Sequence, residues 1–338
     1  MWYLPCNRCR MTSIDLAHPH DHLVRRFLID TELMTDMLVH YPQKDVDRKA
    51  VQLLDLKHLE CKSPVAIDKN LVEGRGDLRF ATTFKESKRQ SNVFLLLEHQ
   101  SAIDYGFRFR GLKYIVQEYD EFRSQTKGKK KFPYPVVVVL YHGKTSWKHM
   151  PTMDEMIETA PGAKTGLLDF PLILIDLSVI PKEKFAGHPA LQALLETLQR
   201  TSEGKLVKEF DRITDYFKPI KGDPRAKDWI HSLVRYAMSV VDVGSELIVK
   251  AFSKVFNEQE AQKMAMTTAQ RLRAEGIAEG LTKGKAEMVL NALRTRFKRV
   301  PKDIEHAILE MSDSIALESL LVQAIQSDTL DEFAEGLR

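Results

Sequence analysis

"NVFLLLEHQS", residues 92 to 101, decides how this chain is read. Residues 93 to 97 are continuously apolar, as in a strand covered on both faces, and the run stops on a carboxylate, an imidazole and an amide. A strand alternates its side chains, so Glu98 and Gln100 project to one face and His99 to the other. Upstream, "GRGDLRFATTF" (74–84) reads as a second strand behind two glycines, and the polar "KESKRQ" (85–90) as the turn between them. With Lys85 opposite Gln90, an antiparallel register sets Asp77 directly opposite Glu98. Directly opposed residues have Cβ atoms about 4.5–5.5 Å apart, where two carboxylates repel unless a cation sits between them. Two carboxylates and an amide form an all-oxygen donor set, which suits Mg²⁺ or Mn²⁺ rather than zinc. Such an ion leaves positions for water and phosphate oxygens, an arrangement for cleaving phosphodiesters. The alternative is an Asp and a Glu at two strand ends that share no ion.

Working outward, Leu23, Phe27, Leu28, Leu33, Met37 and Leu38 have the spacing of an amphipathic helix, or of a broken pair of helices, ending before Pro42. In "YGFRFRGLKYIVQEYDEF" (105–122), Phe109, Leu112, Ile115, Val116 and Tyr119 recur at helical spacing, with Arg110, Lys113 and Glu118 on other faces. "TKGKKKFPYP" (126–135) is a basic loop. "VVVVLYHG" (136–143) and "FPLILIDLSVI" (170–180) read as two more strands. His142 is expected to satisfy a local hydrogen bond rather than act as a base. Strands separated by one long helix, with another helix in front, predict a mixed α/β core. After about residue 187 the pattern is helical throughout. Residues 274 to 287 place Gly276, Gly280 and Gly284 four apart. They read as a charged connector helix or as a seam where another helix comes close.

With 338 residues, 50 basic and 47 acidic, the net charge is +3, so any contact with nucleic acid rests on local basic patches. No apolar run approaches the roughly 20 residues of a membrane span, and the opening "MWYLPCNRCR" lacks the apolar stretch of a secretion signal. The expectation is therefore a cytoplasmic chain without membrane contact. Three cysteines make no disulfide framework. Cys6 and Cys9, followed by His18, His20 and His22, could supply zinc ligands, although their spacing departs from the common fingers. The plainer reading is a flexible tail over 1–17, with Met11 as an alternative start. The remaining chain divides into a domain over 18–222 and a helical region over 223–338.

Five ordered blocks resemble the YhgA-like family of recombination-promoting nucleases and transposases, within the PD-(D/E)XK nuclease superfamily. They are "HPHDHLVRRFL" (18–28), "GRGDLRF" (74–80), "FLLLEHQS" (94–101), "DYGFRFRGLKYIV" (104–116) and "PVVVVLYHGKTSW" (135–147). The "AEGIAEG" element and the helical tail are also similar to the family's. The resemblance implies a restriction-endonuclease-like PD-(D/E)XK core, a mixed central sheet flanked by helices, with an all-helical C-terminal region. It also implies that Asp77 and Glu98 are the two metal-binding acids. Gln100 stands where many superfamily members carry lysine. An amide orients a water but offers the phosphate no positive charge.

His20 and Asp21, at the start of the first helix, are accessory candidates, with capping by Asp21 as the alternative. Arg110, Lys113 and Tyr114 could face the scissile phosphate, or else form a solvated helix face. Lys127, Lys129, Lys130 and Lys131 could grip DNA backbone phosphates, or simply form an exposed basic loop. The leading expectation is a Mg²⁺- or Mn²⁺-dependent DNA endonuclease acting in recombination or mobile-element biology. The alternatives are a non-catalytic DNA-binding or assembly protein of the same fold, self-associating through its C-terminal helices, and a nuclease of RNA.

Overall fold

The computed structural model describes residues 19–62, 78–85, 92–126, 131–158, 170–311 and 313–337. Three helices lead: α1 (Pro19–Leu28), α2 (Thr31–His40) and α3 (Asp45–Gln52). The first two are the broken pair anticipated above. The break falls at Asp30, whose carboxylate caps α2 by accepting from the Glu32 amide at 3.0 Å and holds Arg225 Nη1 at 2.9 Å. A short strand β1 (Glu60–Lys62) follows, with no signal in the residue pattern, then β2 (Leu78–Thr83) and β3 (Asn92–Gln100). Helix α4 (Phe107–Gln125) connects β3 to β4 (Tyr134–Tyr141), and β5 (Leu172–Asp176) completes the sheet.

The strands lie in the order β1-β2-β3-β4-β5. The first three form an antiparallel meander, while β3, β4 and β5 run parallel. A parallel pair needs a crossover of a dozen or more residues, which α4 provides. The register between β2 and β3 is the one expected from the turn length, running from Leu78 opposite Leu97 to Thr83 opposite Asn92. Asp77 itself lies outside the described residues.

Both faces of the sheet are covered, which is why β3 and β4 are apolar along almost their whole length. Leu95, Leu97, Val138 and Leu140 face α1, α2 and the later helices α5 (Pro189–Ser202), α6 (Leu206–Thr214), α7 (Ala226–Val240) and α8 (Ser245–Phe252). Phe94, Leu96, Val137 and Val139 face α4, Trp147 and Phe170. The packing face of α4 differs from the expected one. Phe107, Gly111 and Ile115 are buried, whereas Phe109 and Val116 are exposed. The helix is rotated because Arg108 turns inward, donating from Nε to the Pro151 carbonyl at 2.8 Å and from Nη1 to the Phe170 carbonyl at 3.3 Å. Gly111 allows Phe170 to lie close, since a Cβ there would stand 3.0 Å from its Cζ.

The chain divides into two compact units between Ala265 and Met266, within α9 (Glu258–Phe297). In the second unit Val289, Leu290 and Leu293 pack with Ile308 of α10 (Lys302–Leu309), Leu317 and Leu320 of α11 (Ser314–Gln326), and Phe333 of α12 (Leu330–Glu335). The three spaced glycines lie in α9, and a Cβ added at any of them would meet nothing within 4 Å. Among the described residues no helix is long and apolar enough to cross a membrane.

Candidate functional site

Glu98, Gln100, the loop residue His142 and Asp176 stand at the carboxyl ends of the three parallel strands, the edge where open α/β sheets bind their ligands. The backbone holds this edge firmly. Glu98 pairs with Val139 and Gln100 with Tyr141, and one further bond runs from the His142 amide to the Gln100 carbonyl at 2.9 Å. Asp176 accepts from the Ser178 amide (2.9 Å), Ser178 Oγ (2.6 Å), the Trp147 amide (2.8 Å) and Ser146 Oγ (3.1 Å), and so ties the loop after β4 to the end of β5.

On the α4 side, Glu98 is only 7% exposed. Its Oε1 lies 3.3 Å from the Tyr114 hydroxyl, 3.4 Å from Gln100 Nε2 and 3.7 Å from Arg110 Nε. Arg110 is itself steered by Asp104, whose Oδ2 lies 3.0 Å from Nη1 while its Oδ1 accepts from the Gly106 amide at 2.8 Å. Burying a carboxylate is costly unless a cation and hydrogen-bond donors surround it, and Arg110, Tyr114 and Gln100 are those groups. Four of the residues singled out above, Glu98, Gln100, Arg110 and Tyr114, are therefore brought together. Asp104, which orients the arginine, was missed. Its one signal is an acidic residue just ahead of a helix.

His99 leaves β3 on the opposite face and lies 3.0 Å from Asp21 Oδ1 through Nδ1. There it joins His142, with ring centroids 5.2 Å apart, and His20, whose centroid is 4.8 Å from that of His142. Tyr236 Oη, on α7, is 2.9 Å from His20 Nδ1. His20 and Asp21 are thus set apart from Glu98 by the sheet itself. Burial, followed by the charge of His99, lowers the pKa of His20. His142 is 2% exposed, and burial holds it well below the usual imidazole range. The His142 ring makes the expected local hydrogen bond with its own backbone, while its Nε2 has no partner among the described residues. Tyr236 had no signal in the chain because it meets His20 across 216 positions.

Lys113 and Lys131 are exposed, whereas Lys127, Lys129 and Lys130 lie outside the described residues, as do Cys6, Cys9 and His18. Among the described residues no group of three or more His, Cys, Asp or Glu side chains is placed to hold a metal ion. Glu98 is the described half of the expected pair of acids.

A mixed five-stranded α/β sheet, carrying a buried carboxylate with an amide and an arginine at its strand ends, defines a class of scaffold rather than one chemistry. The family is shown by comparison: residues 18–227 match the model described as "Putative transposase, YhgA-like", and the chain belongs to that family. It is 25% identical over 315 residues to the Inactive recombination-promoting nuclease-like protein RpnE of Escherichia coli (strain K12), an overlap of 90% of this chain and 98% of that protein. It is also 28% identical over 196 residues to the Recombination-promoting nuclease RpnD of Escherichia coli O157:H7, covering 56% of this chain and 70% of the relative. No solved structure matches the chain.

Proposed function

We propose that this chain is a Mg²⁺- or Mn²⁺-dependent DNA endonuclease of PD-(D/E)XK type, acting in the cytoplasm to promote recombination. The observation that carries the reading is the convergence of Gln100, Arg110 and Tyr114 on the buried Glu98 at a strand end. Asp77 and Glu98 are the residues that would hold the ion, a carboxylate set that fits a hard cation. The ion would neutralise phosphate charge and acidify a water. Gln100 orients the attacking water through its amide. Arg110 offers a fork of donors to a phosphate oxygen, as soon as that oxygen competes with Glu98 for it. Lys113 and the basic loop over 127–131 supply backbone contacts that do not depend on base sequence. The reading includes self-association of the chain through its C-terminal helices.

Purified protein, plasmid DNA and Mg²⁺ or Mn²⁺ test the proposal. Nicking or linearisation is expected in the wild type, with a loss of a hundredfold or more in Asp77→Ala and Glu98→Ala. Cleavage that persists unchanged in both variants overturns it.

A second reading is a DNA-binding or assembly protein without catalysis. It is favoured by Arg110, which already neutralises Glu98, and by Gln100 in the usual lysine position. It predicts that DNA is retained with no metal-dependent cutting by the wild type.

A further inference from the structure

The exposed side of α4 carries an arrangement that the proposed cleavage chemistry does not use. Tyr105, in the turn before the helix, is 63% exposed, and Phe109, in its first turn, is 50% exposed. Neither ring contacts another aromatic ring among the described residues. Phe109 instead meets the Lys113 ammonium, which lies 5.0 Å from its ring centroid. In the chain the two rings lie between the residues that organise the site. Tyr105 follows Asp104, and Phe109 precedes the Arg110 that Asp104 holds against Glu98.

Single exposed apolar side chains are ordinary on a protein surface and need no explanation. Here position and charge add to exposure. Both rings stand at a helix start where Asp104 accepts from the Gly106 amide, each one residue from a member of the Asp104–Arg110–Glu98 chain of contacts. Lys113 makes no ion pair among the described residues, so its charge is available to an anion beside the ring it covers. A ring face with a neighbouring cation fits a nucleobase joined to its phosphate. Duplex DNA hides its base faces within the stack, whereas an unpaired nucleotide presents one.

We propose that Tyr105 and Phe109 form a stacking platform for unpaired DNA bases next to the cleavage site, so that the substrate is single-stranded DNA or a junction or overhang that contains it. The inference rests on the nuclease reading and specifies its substrate. Stacking a base on an aromatic side chain contributes about 1–3 kcal/mol, so losing a ring weakens single-strand binding by roughly 5- to 150-fold.

Fluorescence anisotropy of the full chain in EDTA, with labelled oligo(dT) and with a blunt DNA hairpin closed by a non-nucleotide linker so that it has no unpaired base, measures binding apart from cutting. In Y105A/F109A the affinity for oligo(dT) is expected to fall tenfold or more, with hairpin affinity within twofold of wild type. The variant Y105L/F109L, apolar but without π faces, is expected to behave in the same way. In F109W the affinity is retained, and the added indole emission is quenched by oligo(dT) but not by the hairpin. Unchanged oligo(dT) affinity in the alanine variant, equal losses on both probes, or full affinity in the leucine variant overturns the inference. If that variant still nicks plasmid in an Asp77-dependent way, the nuclease reading stands and only the platform fails.

Discussion

Glu98 and His99 are consecutive in the chain, yet they belong to opposite sides of the sheet: one meets Arg110 and Tyr114 of α4, the other Asp21 of α1. The two-residue repeat of a strand produces this division, and polar partners on both faces fix it. Chemistry assigned to one side can therefore be tested while the other is left intact.

Glu98→Gln keeps the shape of the side chain and removes a buried charge. Removing such a charge relieves desolvation but also gives up the attraction to Arg110, which is partly exposed. Thermal or urea unfolding at pH 7 is expected to show stability unchanged or raised by up to about 2 kcal/mol. Plasmid cleavage by the same sample is expected to fall by a hundredfold or more. A large loss of stability would instead give Glu98 a structural role.

His142 is buried, and its folded pKa lies well below the ordinary 6.5. The unfolded chain therefore takes up a proton near pH 6.5 while the folded chain does not, and stability falls as the pH drops below that value. In His142→Asn the acid side of the profile is expected to flatten between pH 7 and 5, as followed by melting temperature at half-unit steps. A slope as steep as that of the wild type would assign the sensitivity elsewhere.

Arg79 ties β2 to α4. Its Nη1 lies 2.7 Å from Glu118 and 2.6 Å from Glu121, with only 12% of the arginine side chain exposed. Charge-assisted hydrogen bonds contribute about 1.5–3 kcal/mol. Arg79→Ala is expected to cost about that much in chemical denaturation, towards the lower end because Glu121 is well solvated. A double-mutant cycle with Glu118→Ala should give a coupling of about 0.5–3 kcal/mol.

Alanine at Gly276, Gly280 and Gly284 meets open space in the single chain. Each replacement is expected to strengthen α9 by about 1 kcal/mol, seen as a higher melting temperature by circular dichroism. If two copies of the chain pack through these glycines, the triple variant instead loses mass in analytical ultracentrifugation.

The apolar block over 93–97 and the turn before it are local patterns, and the order, type and pairing of β2 and β3 follow from them. The alternation that sends Glu98 and Gln100 one way and His99 the other is equally local. β1 was not legible, since three residues with no apolar repeat join the sheet only through pairing with β2. The packing face of α4 was misjudged because Arg108, polar by composition, is drawn inward by carbonyls 43 and 62 positions away. His20, His142 and Tyr236 are assembled from α1, the loop after β4 and α7, a meeting that no window of sequence contains.

The backbone bond from His142 to Gln100, with the ladder before it, bears on how such a protein can change over generations. The strand end is positioned by main-chain bonds and by apolar neighbours, not by the side chains at 98 and 100. A lineage could lose those side chains and keep the scaffold intact, because folding itself exerts no selection to retain them. Active and silent descendants of one ancestor could then share the same sheet, told apart by a few side chains at a single strand end.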